Sequence, residues 1–538
     1  MQEKFTIRYL AACAASWYNK FMNMKKLLHW KYLFFTLAAL MLAAALATLP
    51  LGFGETRAEP SPTPNPWSKP PSETPSPTEE PDWAPDLNTS QPVAHTGTLY
   101  EAALSIVPYS STISGKLRIS YVNASSDVLY ALKLHLHAND VSQGCFSLSS
   151  VAVNGERVYY ALSGENGGIL TVPLPLEIAP GESAELFLNF TISVPRTGSR
   201  FGLNDTGLML GNFLPIMAVY ENGAWRTDPY TAEGDPFYSE TADYRVAITF
   251  PKTHVLSHTG SKLEETENYY EYTYYIAAPR VRDFALALIP GGKTATAQSS
   301  VGRTTVKAVA GTQSAADFCA EVAVDALDFY NRTIGLYPYA ELSVVPFDQS
   351  GGMEYPSLIM ISSRYLRSDS RAMGELVIAH EVAHQWFYSV VGSDQINAPW
   401  LDESLVEFLA FRYYAEHNGE EAAEALWNER FSTYATAERD TRLDASLYEF
   451  EGDAYFTTVY AHGAALFRAL WEEVEDTAFF GALRIYFDAN SFENATFSDL
   501  LAAFEEATGR DFTAWFETRM APGYVFPYVS QPHPKSNR

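Results

Sequence analysis

At 538 residues, 47% hydrophobic and 14% aromatic, the chain holds enough apolar material for two or three domains with cores of their own. Its 37 Lys and Arg against 64 Asp and Glu give a formal charge of -27, which excludes the basic surface that phosphate backbones require, so no nucleic-acid partner is expected. The cysteines, Cys13, Cys145 and Cys319, are too few and too scattered for a zinc ribbon or a disulfide framework.

In chain order, residues 1–54 contain Lys25, Lys26 and Lys31 followed by the apolar run Leu33–Leu49, broken only by threonine. Positive charge before the run and none closely after it predicts an N-terminus kept inside the cell and an exported remainder. The run is near the lower limit for crossing a bilayer, and reads as a signal anchor or as a cleaved signal peptide ending near Ala45 and Ala47. Met24 makes a more typical start for either. Residues 55–95, as in PSPTPNPWSKPPSETPSPTEEP, are dominated by Pro, Ser, Thr and Glu. Such a stretch cannot bury enough apolar surface to offset its ordering entropy, and it reads as a disordered stalk.

Residues 96–295 alternate apolar and polar side chains in runs such as KLRISYV, AELFLNFTISV and YRVAITF, which predicts a mostly antiparallel β domain. Within LYALKLHLHA, His135 and His137 fall on one face of a strand; with no third ligand nearby they are read as exposed strand residues. From 296 to 530 the period changes: strands TTVKAVA, LSVVPF and LIMI interleave with a helix near 315–331, and helices follow from Ser370 onward. Pro399 is placed to open one of these helices and Thr496 to cap another. Residues 531–538 are a tail.

The most informative stretch is HEVAHQWFYSVVGSDQINAPWLDE, residues 380–403. Four residues apart on a helix, His380 and His384 share a face and can aim both imidazoles at one metal ion, with Glu381 one step round. A catalytic zinc takes three protein ligands and keeps one position open. Glu403, separated from His384 by 18 residues, completes the set.

Upstream stands Gly351-Gly352-Met353-Glu354-Tyr355-Pro356, and downstream Tyr460-Ala461-His462-Gly463-Ala464. In order and approximate spacing this combination resembles the aminopeptidase N family of gluzincin zinc metallopeptidases, in a short form without the large C-terminal helical domain. The resemblance runs from GDPFYSETADYRV and VRDFALAL to WFETRMAPGYVFP. It implies an N-terminal β domain followed by a thermolysin-like α+β catalytic domain that is mostly helical toward its C-terminus.

Carried over by residue, the resemblance implies one zinc ion on His380, His384 and Glu403, with Glu381 as general base. Tyr460 matches the donor to the developing oxyanion, and Glu354 the carboxylate that binds the free amino terminus of a peptide. Gly351 and Gly352 would let the substrate backbone approach closely. Glu407, one turn beyond Glu403, is either a partner for a ligand imidazole or an unrelated surface glutamate. Trp386, Phe387 and Trp400 are expected to pack the two metal-bearing helices together.

Tyr355 stands where the family has Asn, His462 where it has Lys, and Ser389 and Ser404 where many relatives have Gly. His462 would make the charge beside Tyr460 pH-dependent, and the serines would crowd the site slightly. The second amine-binding residue, expected between Phe213 and Asp235, is not legible. Without a C-terminal domain to close over it, the cleft is expected to be open. The function implied is release of N-terminal residues from peptides by a membrane-associated, extracytoplasmic enzyme, secreted if the apolar run is cleaved. A gluzincin endopeptidase and a non-enzymatic surface binding protein are the alternatives; the sequence does not give the oligomeric state.

Overall fold

The computed structural model describes residues 97–526, apart from 368, 432, 433 and 435–437. The apolar run, the Pro/Ser/Thr/Glu stretch and the tail lie outside the described residues, and among the described residues no helix is long and apolar enough to cross a membrane.

The N-terminal half is built on an eight-stranded sheet flanked by smaller four-stranded sheets. Alternation is the cause: along Thr112–Val122, Ile113, Leu117, Ile119 and Tyr121 turn inward while their neighbours face out. All its pairings are antiparallel except Leu99–Val107 with Ala242–Pro251, which run parallel with Ala102 opposite Val246.

The expectation for His135 and His137 is corrected here. His135 ends the strand Leu129–His135, and the chain turns at once into the short helix His137–Val141. Both residues are buried and their rings stack 4.8 Å apart, with Phe237 edge-on to His137 at 4.9 Å. Period-2 alternation predicts exposure only while the strand continues, and it stops at His135.

The second half begins with a five-stranded sheet whose first strand, Lys293–Gln298, starts ahead of the expected boundary at 296. Thr305–Ala310, Glu341–Phe347 and Leu358–Ser362 run parallel, and the short strand Gly352–Met353 pairs antiparallel on the edge. Thr312 caps the helix Gln313–Thr333 by accepting from the Ala315 amide, and Thr496 forms a capping box with Asp499 for Phe497–Thr508.

Trp386, Phe387 and Trp400 make ring contacts beyond the two metal-bearing helices. Trp386 packs against Tyr330 and Tyr337 and donates to the Gly335 carbonyl at 2.8 Å, Phe387 stacks on Tyr486, and Trp400 meets Phe467, Phe497 and Phe516. Each ties its own segment outward to a neighbouring element. One continuous apolar core runs through both halves. Buried Arg282 joins them with hydrogen bonds to the carbonyls of Tyr388 (2.6 Å), Ser239 (2.9 Å) and Glu493 (2.6 Å) and to the Asn494 side chain.

Candidate active site

His380 and Glu381 lie on the last turn of the helix Arg371–Ala383, and His384 is its C-cap. The helix Trp400–Asn418, preceded by Pro399, carries Glu403 in its first turn. The imidazole Nε2 atoms of His380 and His384 are 3.2 Å apart, and Glu403 Oε2 stands 3.2 Å from one and 3.4 Å from the other. Zinc bonds of about 2.0–2.1 Å in a tetrahedron separate ligand atoms by about 3.3 Å, so the three atoms have the spacing of one face of a zinc tetrahedron.

The remaining polar contacts leave these atoms available. His384 Nδ1 donates to the Phe387 carbonyl at 3.0 Å, and His380 Nδ1 lies 2.7 Å from Glu407 Oε2, so both Nε2 lone pairs point inward. Glu403 Oε2 is buried and makes no hydrogen bond. Burial alone would raise Glu403, but His384 and His380 outweigh it and hold the carboxyl well below its usual range. Burial would lower His380, yet Glu403 and Glu407 push it up to about 10. A site that draws protons onto its imidazoles in this way holds more negative charge than it can neutralise without a cation, and the donor set fits zinc.

Glu381 is buried beside the triad, and burial pushes its carboxyl up to about 7 against the pull of His380 and His384. It fits there because its neighbour on the edge strand is Gly352, where a β-carbon would collide with the carboxylate. Gly351 adopts φ +88, a left-handed value that glycine takes without strain. Gln385 fixes this strand against the metal-bearing segment: its Nε2 donates to the carbonyls of Glu354 (3.1 Å) and Tyr355 (3.2 Å), and its Oε1 accepts from the Ser357 amide at 2.8 Å.

Glu354 is 4% exposed and accepts from Gln395 Nε2 at 3.2 Å. Carboxylate oxygens of Asp235, Glu354 and Glu403 all lie within 4.8 Å of one another. Asp235, paired with Arg200, is the second carboxylate that the sequence did not reveal. Burial first, then Asp235, raises the Glu354 carboxyl well above its ordinary value. This corner therefore favours any group that brings a positive charge or a proton.

Tyr355 does not face the cleft. It is fully buried, and its hydroxyl donates to Asn212 Oδ1 at 2.7 Å, while Asn212 Nδ2 donates to Asp283 Oδ2 at 2.9 Å. The side chain in the family's Asn position thus ties the site to the β half.

Tyr460 sits in a π-helical segment, Phe456–His462, with its ring 5.9 Å from that of His380 and stacked on Phe456 at 5.5 Å. Such wide turns rotate a side chain away from the α-helical direction and recur at functional sites. Ser404 Oγ donates to the Val459 carbonyl at 2.6 Å and occupies the space a β-carbon on Gly463 would need. Ser404 therefore anchors the π segment and does not crowd the cleft. His462 is fully buried and packs against Phe526 at 5.9 Å, away from the cleft lining, so the expected pH-dependent charge beside Tyr460 is not placed there.

These side chains surround one cleft of about 420 Å³ that also takes in Arg200, Asp235, Tyr455 and Arg430. None of these last four was singled out from the sequence. The sequence matches the peptidase family M1 domain over residues 318–518. Over these residues the chain is similar to the M1 peptidases, and it is similar to aminopeptidases N as well. The chain is 29% identical over 279 residues to an aminopeptidase N of Lactococcus lactis, covering 47% of this chain and 32% of that protein. An aminopeptidase N of Streptomyces lividans is 30% identical over 227 residues, 37% of this chain and 25% of its own. The chain thus matches about a third or less of the length of these relatives. Among solved structures, the M1 zinc metallopeptidase of Deinococcus radiodurans aligns with a TM-score of 0.61 at 21% identity, covering 82% of this chain and 97% of that one. That likeness is one of fold, and it extends beyond the M1 domain into the β half.

Proposed function

We propose that this protein is a zinc-dependent aminopeptidase that releases N-terminal residues from peptides. The observation that carries the reading is the buried corner formed by Asp235, Glu354 and Glu403, in which carboxylate oxygens meet within 4.8 Å beside the two imidazoles. A protonated α-amine bound at Glu354 and Asp235 places the first peptide bond against His380, His384 and Glu403. Internal segments of a chain bring no such charge, and burying Glu354 against a neutral peptide leaves it without a cationic partner.

Zinc bound by His380, His384 and Glu403 supplies Lewis acidity and lowers the cost of deprotonating water at neutral pH. Glu381 takes the proton from the attacking water and returns it to the leaving amine, a task suited to a carboxyl whose burial raises it toward neutrality. The Tyr460 hydroxyl donates to the carbonyl oxygen as negative charge develops there. Gly352 on the edge strand, with Gly351 just before it, leaves room for the substrate backbone. A related M1 metallopeptidase variant has been solved with a Tyr-Ser-Ala substrate, consistent with short peptides in such a cleft.

The deciding experiment compares a peptide bearing a free amino terminus with its N-acetylated form. Cleavage of the free form alone is the expected result; equal cleavage of both would sink the exopeptidase reading and favour an endopeptidase.

The proposal includes location. The basic residues before Leu33–Leu49 and the Pro/Ser/Thr/Glu stretch after it support a membrane-anchored protein with its catalytic portion outside the cytoplasm, or a secreted one if the run is cleaved. Protease accessibility of the catalytic portion in intact cells, together with membrane fractionation, tests this; a protected, soluble pool would refute it.

A further inference from the structure

The charged groups of the cleft can be matched one by one, and a single carboxylate is left over. Arg200 pairs with Asp235, and Arg430 Nε donates to Glu407 at 2.6 Å. Glu403 faces both imidazoles, Glu354 takes the amine, and Glu381 handles the proton in the reading above. Glu233 lines the same cleft, half-buried, and its carboxylate has no ion pair or hydrogen bond among the described residues. Only its backbone amide is engaged, donating to Thr231 Oγ1 at 3.2 Å.

Resting on the aminopeptidase reading, we propose that Glu233 selects substrates whose first residue is cationic, lysine or arginine. Glu233 precedes Asp235 by two residues, a span of up to about 7 Å along the chain. The α-amine is held at Asp235 and Glu354, and the first side chain leaves from the adjacent carbon. A four-carbon lysine stem or an arginine guanidinium reaches across such a span, and small or branched side chains do not. The carboxylate meets its partner in a partly desolvated cleft, where a cation gains more than it would at open surface. A neutral side chain there leaves Glu233 without a partner.

The test uses isosteric pairs on the zinc-loaded protein: lysyl against norleucyl 4-nitroanilide, and arginyl against citrullyl. The wild type is expected to favour the cationic member of each pair. Glu233→Gln is expected to reduce that ratio of kcat/KM about fivefold, and Glu233→Lys to reverse the preference. The ratio is taken within one preparation, so it is insensitive to how much of a variant folds. Added salt should lower the wild-type ratio and leave that of Glu233→Gln unchanged. Cleavage of norleucyl and lysyl substrates with the same ratio in all three proteins would overturn the role of Glu233 and leave the aminopeptidase reading standing. Cleavage of neither substrate by the wild type would overturn both.

Discussion

Glu407 Oε2 stands 2.7 Å from His380 Nδ1 while Glu407 Oε1 accepts from Arg430 Nε at 2.6 Å. The contact fixes which imidazole nitrogen faces the triad, and Arg430 fixes the carboxylate in turn. Replacing the carboxylate by an amide leaves one acceptor oxygen for two donors, His380 Nδ1 and Arg430 Nε. Glu407→Gln should therefore lower zinc affinity or activity about 10–100-fold, read by metal content after dialysis against a chelator series.

Glu381 neighbours the triad and has no role in holding the metal. Glu381→Gln keeps the shape beside Gly352 but cannot accept a proton. Hydrolysis should fall by about 10²–10⁴ while zinc content stays at wild-type level. Undiminished hydrolysis would remove Glu381 as the base.

Tyr460 contributes only as charge develops on the carbonyl oxygen. Tyr460→Phe keeps the stacking on Phe456 and loses the donor. A fall in kcat of about 10²–10³ with KM little changed is expected, because the interaction is absent from the ground state. An increase in KM alone would instead make Tyr460 a binding residue.

The Tyr355–Asn212–Asp283 chain makes stability depend on pH. Burial, offset in part by hydrogen bonds from the Phe284 amide and Asn212, pushes the Asp283 carboxyl up to about 6. The folded state then binds the proton more tightly than the unfolded state, whose value is about 4. The contribution of the protonated group is fully present below about pH 4 and is lost as pH rises through about 6, a change of about 3 kcal/mol. Thermal melts of the wild type minus those of Asp283→Asn should show this difference falling as pH rises between these values; a flat difference would contradict it.

The metal triad was legible because helical spacing converts sequence distance directly into geometry: His380 and His384 had to share a face. Asp235 was not, because it lies in a stretch without regular structure where no periodicity fixes side-chain direction. Tyr460 was legible by resemblance, but the π-helical turn that aims it was not, since nothing in FTTVYAH distinguishes that hydrogen-bond pattern from an ordinary helix. His462 misled for the same reason: one extra residue in the turn swings it into the core. Tyr355 shows the converse, a substitution that looks like an altered recognition residue and proves to be a buried tether, because its partner Asn212 is more than a hundred residues away.

Arg282 has a consequence for how the chain melts. Its buried guanidinium draws acceptors from the β half, from the turn after His384 and from the segment following the last long helix. Pulling the halves apart strands a cation without partners, so neither half has a stable intermediate in which the other is lost. Calorimetry of the folded portion should show a single cooperative transition, and cutting the chain near residue 290 should abolish folding of both pieces rather than release two domains.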